Sequence, residues 1–245
     1  MFTKPKKSSD RAGGISGYAY DGDRPATADQ DNPISDLFWN HDGAIVHKWH
    51  HYLEVYDRYF SRFRGTNFRF LEIGVFKGGS LEMWRKYFGD DATIFGIDIE
   101  PTCIAYDGNA GRVRIGSQAD PEFLKSVVEE MGGVDAVLDD GSHRSEHIRA
   151  SFNALYPMLA DNGVYMIEDL HATYWTHYGG GYQSDVSFMS EVKQIIDDMH
   201  HWYHDYEQAV GPARNAVSSM HIHDSIVVLE KKPIAPPKHS KRGRA

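Results

Sequence analysis

Two short apolar runs, each followed at once by acidic residues and a histidine, constrain the fold of this chain more than any other feature. The runs cover residues 134–138 and 163–167, and they are rich in β-branched residues. Such runs are typical of parallel strands that are covered on both faces. The polar residues that follow are Asp139, Asp140 and His143 after the first run and Glu168, Asp169 and His171 after the second. Because ligands of open parallel sheets bind outside the carboxyl ends of the strands, we expect both sets at one rim.

The two strand ends predict a shared cation site. Neighbouring strands lie about 4.8 Å apart, so one ion can contact side chains from both strands. Carboxylate oxygens are hard ligands, which favours magnesium, with manganese or calcium as substitutes, over zinc. The alternative is that the acidic residues cap the following helices and that His143 bonds a backbone carbonyl.

Length and composition indicate one domain without a membrane span. A chain of 245 residues with 41% apolar residues can bury one substantial core. No run reaches the roughly 18 apolar residues of a membrane span, and the polar first residues lack the apolar segment of a signal peptide. The single cysteine, Cys103, allows no internal disulfide, which favours a cytoplasmic protein. The net charge of -9 argues against a nucleic-acid partner.

From residue 68 onward, strand-like and helix-like patterns alternate. The predicted strands are residues 68–73, 93–97, 112–115, 134–138 and 163–167, and the predicted helices are 80–88, 121–131 and 145–159. This order predicts an α/β fold with a Rossmann-like, doubly wound, mostly parallel sheet. Near the end, residues 217–223 and 226–230 flank Asp224 and Ser225, which predicts a C-terminal hairpin that adds an antiparallel strand.

Composition divides the chain into three parts. Residues 1–40 are polar and rich in Gly, Asp and Pro, which predicts a mobile arm or lid, and residues 41–232 form the single folded domain. Residues 233–245 are basic and rich in proline, which predicts a disordered tail. A first helix is predicted from apolar residues spaced three and four apart, namely Ile45, Val46, Trp49, Leu53, Tyr56, Phe60 and Phe63. The polar arm and this aromatic helix are compatible with a homo-oligomer.

A glycine-rich loop follows the first predicted strand. Residues 72–80 read E-I-G-V-F-K-G-G-S, and glycines there let the backbone turn tightly and approach a ligand. The spacing differs from the G-x-G-x-x-G dinucleotide motif. Asp98 ends the second strand, where a carboxylate can accept both hydroxyls of a ribose. Together they indicate an adenosine-containing ligand; the alternatives are an ordinary strand-to-helix turn and, for Asp98, a helix cap.

With these features the chain resembles the class I methyltransferases that use S-adenosylmethionine. In that family the first strand ends in E-x-G-x-x-x-G and the second ends in an acidic residue. The resemblance implies that the loop holds the methionine end of the donor, that Asp98 holds the ribose, and that residues 116–120 lie beside the adenine. The donor-site residues implied in this way are Glu72, Gly74, Gly78, Ser80, Asp98, Ser117, Gln118 and Asp139.

The paired D-D-G-S-H and E-D-L-H motifs narrow the resemblance to metal-dependent sugar O-methyltransferases that act on macrolide deoxysugars and polysaccharide precursors. It covers about residues 68–182 and implies that Asp140, Glu168 and Asp169 bind the metal and that His143 is the general base. A hydroxyl bound to a divalent cation loses its proton more readily, and a histidine within reach can accept that proton. The expected activity is S-adenosylmethionine- and Mg²⁺-dependent methyl transfer to a sugar hydroxyl of a small molecule or an oligosaccharide.

An aromatic and glycine-rich segment at residues 174–182 follows the second motif. Aromatic faces suit a sugar ring and glycines permit loop movement, so we expect a lid over the acceptor. The expected substrate residues are His171, Tyr174, Trp175, His177 and Tyr182. The alternative is an aromatic surface loop that packs on the core.

Other functions compete with sugar methylation. A catechol or another aromatic diol chelates a cation as well as a sugar diol does. A hydroxylase would need an iron site, and the sequence offers no clear set of two histidines and one carboxylate. A catalytically silent nucleotide-binding protein would not need Asp140, His143, Glu168 and Asp169 together. The sugar, and its setting in secondary metabolism or polysaccharide maturation, stay open.

Overall fold

The computed structural model describes residues 22–24, 31–205, 211 and 216–244, and within them seven strands form one sheet. The strands are β1 (Arg69–Ile73), β2 (Thr93–Asp98), β3 (Arg112–Ile115), β4 (Val134–Asp139), β5 (Leu159–Ile167), β6 (Val217–His223) and β7 (Ile226–Lys231). They lie in the order β3-β2-β1-β4-β5-β7-β6. Strands β1 to β5 are parallel, whereas β7 pairs antiparallel with both β5 and β6. The predicted Rossmann-like fold with its C-terminal antiparallel hairpin is confirmed.

Helices cover both faces of the sheet. The α-helices of the described residues are α1 (Pro33–Trp39), α2 (Tyr52–Phe60), α3 (Gly79–Phe88), α4 (Pro121–Met131), α5 (Ser145–Leu155) and α6 (Phe188–Met199). Helices α1, α2 and α3 share one apolar core with the sheet, and α4, α5 and α6 share the other. A sheet buried on both faces explains why its central strands are apolar at nearly every position.

Local sequence signals set several helix ends. Asp120 accepts hydrogen bonds from the backbone N–H groups of Glu122 and Phe123, at 3.1 and 3.2 Å, and Pro121 opens α4. Gly132 closes the helix with φ +75°, a conformation that favours glycine. These capping signals agree with the apolar spacing of α4, and its predicted bounds match the observed ones.

The first helix is shorter than its apolar spacing predicted. Residues 45–51 are not helical, and α2 begins only at Tyr52 and is followed by a 3₁₀ turn, Ser61–Phe63. We call residues 44–51 the strap, because Lys48 and Trp49 of this segment bond to residues at the carboxyl ends of β4 and β5. Its side chains bond to groups of the sheet rim, and these contacts outweigh the local helical pattern.

Two other predicted boundaries differ. Helix α5 ends at Leu155, four residues before the predicted end, because β5 already begins at Leu159 and pairs there with Val134. Residues 33–39, inside the predicted arm, form helix α1, which Asn32 caps through its side chain. Most of the rest of residues 1–40 lies outside the described residues. Residues 233–244 form no helix or strand, and their disorder stays a prediction.

No described helix combines the length and the apolar character needed to cross a membrane.

Candidate active site

The glycine loop after β1 is shaped by close backbone approach. Gly74 has φ +100°, and a Cβ there would lie 2.2 Å from the carbonyl oxygen of Asp140. The loops that follow β1 and β4 therefore touch, and only glycine fits between them. Gly78, with φ +80°, precedes α3, and a Cβ there would meet the ring of Tyr106 at 2.7 Å. Both glycines thus have a structural reason to be glycine in addition to any ligand.

Asp98 lies at the carboxyl end of β2 and is bonded to the same loop. Its Oδ2 accepts hydrogen bonds from the backbone N–H groups of Val75 and Phe76, at 2.9 and 3.0 Å. Its Oδ1 accepts one from Glu100 N at 2.9 Å. The carboxylate therefore faces the glycine loop, in the position where a strand-end acid can also reach a ribose.

Two clefts open along this rim and meet at Asp98. The larger has a volume of about 470 Å³ and is lined by the strap, the glycine loop and the ends of β4 and β5. The smaller, about 240 Å³, lies toward β3 and is lined partly by Ser117 and Gln118. Gly74, Asp98 and Gly141 line both clefts. Of the predicted donor residues, the structure thus brings together Gly74, Ser80, Asp98, Ser117 and Gln118 at the two clefts.

Glu72 lies behind the cleft wall, unlike its predicted position lining the donor site. The side chain is fully buried and accepts hydrogen bonds from Ser80 Oγ at 2.7 Å and Trp84 Nε1 at 3.0 Å. Burial raises the pKa of Glu72 to about 7, although the charge of Lys48 acts in the opposite direction. Glu72 therefore joins β1 to the first turns of α3, and Gly78 likewise lines neither cleft.

Asp139 is also buried, one residue before the predicted metal ligand. It accepts hydrogen bonds from Ser151 Oγ at 2.5 Å and from Gln118 Nε2 at 3.1 Å. Burial raises the pKa of Asp139 to about 6, against the hydrogen bond from Ser151. Gln118 in turn accepts a hydrogen bond from Ser142 N at 2.7 Å. Asp139 lines neither cleft. It orients Gln118, which lines the smaller cleft.

Three of the predicted polar residues converge in the larger cleft. Asp140, His143 and Asp169 each offer one ligand atom, and these atoms lie within 4.8 Å of one another. His143 Nε2 is 3.5 Å from Asp169 Oδ2 and 3.9 Å from Asp140 Oδ1. They meet because β4 and β5 are parallel neighbours whose last residues pair in register. The two carboxylates offer the oxygen ligands that Mg²⁺ prefers, and His143 lies beside them, so these residues fit the predicted metal.

The backbone at this cluster is strained. His143 and Asp169 adopt φ of +56° and +57°, a left-handed conformation that side chains with a Cβ rarely take. Each such residue costs on the order of 1 kcal/mol or more, and strain of this kind collects at functional sites.

Glu168, the third predicted metal ligand, is held differently. Its Oε1 accepts a hydrogen bond from Lys48 Nζ at 2.9 Å, and its Oε2 accepts one from Tyr56 OH at 2.5 Å. The side chain is 2% exposed, and burial together with the charge of Asp140 raises its pKa well above the usual value. Lys48 also forms an ion pair with Asp140 and so joins the two carboxylates.

Asp169 is oriented by aromatic residues of the strap and α2. Its Oδ1 accepts hydrogen bonds from Tyr52 OH at 2.7 Å and from Trp49 Nε1 at 3.1 Å. The sequence interpretation missed Lys48, Trp49, Tyr52 and Tyr56, because it treated this stretch as a core stripe. The available signal was that this stretch contains Trp49, Tyr52 and Tyr56, whose polar atoms need partners when buried.

Of the five predicted acceptor residues, His171 lies beside the cluster, with Nδ1 3.9 Å from Asp169 Oδ1, and none of the five lines the larger cleft. His171 Nδ1 lies 2.6 Å from Ser225 Oγ, and the His171 ring packs edge-on against Trp49. Burial lowers the pKa of His171. Trp175 stacks on His177, whereas Tyr174 and Tyr182 are exposed at 47% and 69%. A role for these residues in binding an acceptor stays a prediction.

Comparison with known proteins agrees with this geometry. Residues 71–170 match a family model described as a methyltransferase domain. The chain is 36% identical over 202 residues to demethylmacrocin O-methyltransferase of Streptomyces fradiae, covering 76% of this chain and 51% of that protein. It is 33% identical over 199 residues to the 8-demethyl-8-alpha-L-rhamnosyl tetracenomycin-C 2'-O-methyltransferase of Streptomyces olivaceus, covering 76% and 52%.

A solved structure resembles this one at similar coverage. It is the MycE methyltransferase from the mycinamycin biosynthetic pathway in complex with Mg, SAH and mycinamycin VI. The TM-score is 0.71 with 30% identity, over 82% of this chain and 53% of that chain. This chain therefore spans about half the length of the relatives that it matches.

The sheet order, the glycine loop and the strand-end acid define the class of protein, a class I methyltransferase fold. Within that class, the chain carries a methyltransferase domain related to demethylmacrocin O-methyltransferase and to the tetracenomycin-C 2'-O-methyltransferase named above.

Proposed function

We propose that this protein transfers a methyl group from S-adenosylmethionine to a sugar hydroxyl and requires Mg²⁺, with Mn²⁺ as a substitute. One observation carries the proposal: the Asp140, His143 and Asp169 cluster lines the same cleft as Gly74 of the glycine loop and Asp98 at the end of β2. A donor bound along the loop would thus hold its methyl group beside a cation site. The names of the relatives, and of MycE with its bound Mg and SAH, support the same assignment.

The donor would lie across both clefts. Asp98, at their junction, can accept hydrogen bonds from the ribose hydroxyls. The smaller cleft, with Ser117 and Gln118, suits the adenine, and the glycine loop with Ser80 faces the methionine end. The hydrogen bonds from Ser142 and to Asp139 fix the Gln118 amide, so this polar contact is preorganised.

The metal would be held by Asp140 and Asp169, with Glu168 next to them on the rim. When bound, a divalent cation lowers the pKa of a hydroxyl that it coordinates and orients a vicinal diol. His143 Nε2 lies 3.5 Å from Asp169 Oδ2, so it borders the cluster from the side of the cleft. We assign to it the acceptance of the hydroxyl proton. The deprotonated oxygen then forms a bond to the methyl carbon while the carbon–sulfur bond breaks, without a covalent enzyme intermediate.

The cluster also bears on the competing functions. In the described part of the chain it comprises one histidine and two carboxylates, which differs from the two-histidine, one-carboxylate iron site of a hydroxylase. A protein that only binds nucleotide would have no need for this cluster beside the donor loop. A small glycosylated molecule is the acceptor that the relatives' names support.

A labelled-methyl transfer screen tests the proposal. The protein is incubated with methyl-labelled S-adenosylmethionine, Mg²⁺ and separate acceptors: rhamnosylated natural products, free sugars, oligosaccharides and simple catechols. Label on a sugar oxygen supports the proposal. Label on the catechols alone would replace the sugar by an aromatic diol, and transfer to none of the acceptors would contradict it.

A further inference from the structure

Lys48 is buried among the carboxylates of the proposed metal site. Only 2% of its side chain is exposed, and its ammonium donates to Glu168 at 2.9 Å and pairs with Asp140. It also lies 5.7 Å from the centre of the Tyr56 ring, which favours a cation there. One positive charge thus joins two of the three carboxylates to which the sequence assigns the metal.

The surrounding structure keeps Lys48 in this position. The strap is bonded to α3, since Ala44 N donates to Glu82 Oε2 at 3.1 Å. A Cβ on Gly79 would come within 2.1 Å of the Ala44 carbonyl oxygen, so the strap and α3 are in close backbone contact. Trp49, the next residue, donates to Asp169. Lys48 therefore reaches the carboxylates from a segment that is fixed on both sides.

The positive charge of Lys48 determines its role beside Asp140 and Glu168. Lys48 Nζ donates to Glu168 Oε1 at 2.9 Å and forms an ion pair with Asp140, so one ammonium group contacts both acidic side chains. Removing either partner of a buried ion pair leaves an uncompensated charge, which is strongly unfavourable. Loss of the Lys48 ammonium would thus leave these two acidic side chains without the positive charge that both of them contact.

We propose that Lys48 competes with the divalent cation for Asp140 and Glu168, and so sets the affinity of the site for metal. The inference rests on the metal site of the proposed function. The ammonium holds the two side chains together when no ion is bound, and an ion that binds either of them lies close to this positive charge and is repelled by it. A variant without this charge should bind metal more tightly and depend on metal more strongly for its stability.

Metal binding separates this role from a merely structural one. The probe is Mn²⁺, and free Mn²⁺ is measured by electron paramagnetic resonance during titration of the full chain. Lys48→Met removes the charge at similar volume, Lys48→Gln removes it but keeps a hydrogen-bond donor, and Lys48→Arg keeps it. Lys86→Met removes a positive charge from the exposed side of α3, where Lys86 pairs with Asp42 at 3.7 Å.

We expect Lys48→Met and Lys48→Gln to bind Mn²⁺ about tenfold more tightly than the wild type, or tighter still, because a charge beside the ion has been removed. Lys48→Arg should not tighten binding, and Lys86→Met should stay within about twofold because its charge is distant and screened. If both neutral variants bind Mn²⁺ as weakly as the wild type or more weakly, the inference about Lys48 is wrong. The metal site itself would still be supported in that case, provided that the wild type binds Mn²⁺. No binding by any variant would overturn the metal site itself.

Thermal unfolding gives a second readout that does not involve turnover. In chelator, Lys48→Gln should melt below the wild type, and adding Mg²⁺ should raise its melting temperature by more than it raises that of the wild type. Equal Mg²⁺ shifts in both proteins would contradict competition, because repulsion from Lys48 should weaken Mg²⁺ binding, and with it the stabilisation by Mg²⁺, in the wild type only.

Discussion

The hydroxyl of Tyr52 donates a 2.7 Å hydrogen bond to Asp169 Oδ1. The other oxygen of that carboxylate, Oδ2, lies 3.5 Å from His143 Nε2. Helix α2 thus orients a proposed metal ligand at the end of β5, in addition to its place in the apolar core. Partners of this kind fix ligand geometry, and their loss commonly weakens metal sites.

Tyr52→Phe should therefore bind Mn²⁺ about tenfold more weakly than the wild type while the fold is kept, since loss of such a partner typically costs 10- to 100-fold. Titration calorimetry, or electron paramagnetic resonance of free Mn²⁺, measures the change in Mn²⁺ affinity. Tyr59→Phe is the matched control, because Tyr59 lies on the same helix and its hydroxyl is 3.0 Å from His223, away from the cluster. Equal affinity in the two variants would show that Tyr52 only packs.

His143→Gln should lower turnover by about 10²- to 10⁴-fold, the usual contribution of a general base. Binding of S-adenosylhomocysteine should stay near the wild-type value, because the donor contacts lie on the other side of the cleft. His200→Gln, at the exposed end of α6, is the control for loss of a histidine. If His143→Gln lost donor binding and turnover to the same extent, His143 would be structural.

Asp98→Asn should weaken S-adenosylhomocysteine binding by about tenfold or more, since a hydrogen bond to a charged group contributes roughly 1.5–3 kcal/mol. Mn²⁺ affinity should stay the same, which separates the donor site from the metal site. Asp90→Asn, at an exposed position before β2, removes a similar charge away from the clefts. Undiminished donor binding in Asp98→Asn would refute the ribose assignment.

Glu72 gives a prediction about pH and stability. Its pKa rises from 4.5 to about 7 on folding because the carboxyl is fully buried. The native state then holds more protons than the unfolded state between these values, so this group makes the protein less stable as pH rises through that window. The upper limit of the loss is roughly 3 kcal/mol.

Glu72→Gln removes this dependence, and its amide can still bond with Ser80 and Trp84. The free energy of unfolding is measured with denaturant in the presence of chelator. The value for Glu72→Gln minus that for the wild type should increase from pH 5 to pH 8. A difference that stays constant over this range would mean that Glu72 remains ionised in the folded protein.

The sequence predicted most of the sheet because its signals are local. Strands β2, β3 and β4 match their predicted ranges to within one residue, since short β-branched runs bounded by turn residues define them. Placing Asp140 and Asp169 at one rim needed only the rule for parallel strands, and the pairing of β4 with β5 confirms it.

The partners of the carboxylates could not be predicted in this way. Tyr52 and Asp169 are 117 residues apart, and Lys48 and Glu168 are 120 apart. The apolar spacing of the first helix placed Trp49 and Tyr56 in the core, but it left out Tyr52 and does not say which partners the polar atoms of these side chains bind. The strap was predicted as helix because its apolar spacing is local, whereas the bonds of Lys48 and Trp49 to the sheet rim join residues far apart in the sequence.

The dependence of methyl transfer on metal tests the central claim most directly. Label transfer from S-adenosylmethionine to a rhamnosylated acceptor is followed first in excess chelator and then after Mg²⁺ is added beyond the chelator. The proposed mechanism predicts that transfer stops in chelator and returns with Mg²⁺, while S-adenosylhomocysteine still binds in both conditions. Transfer at the same rate with and without chelator would contradict it.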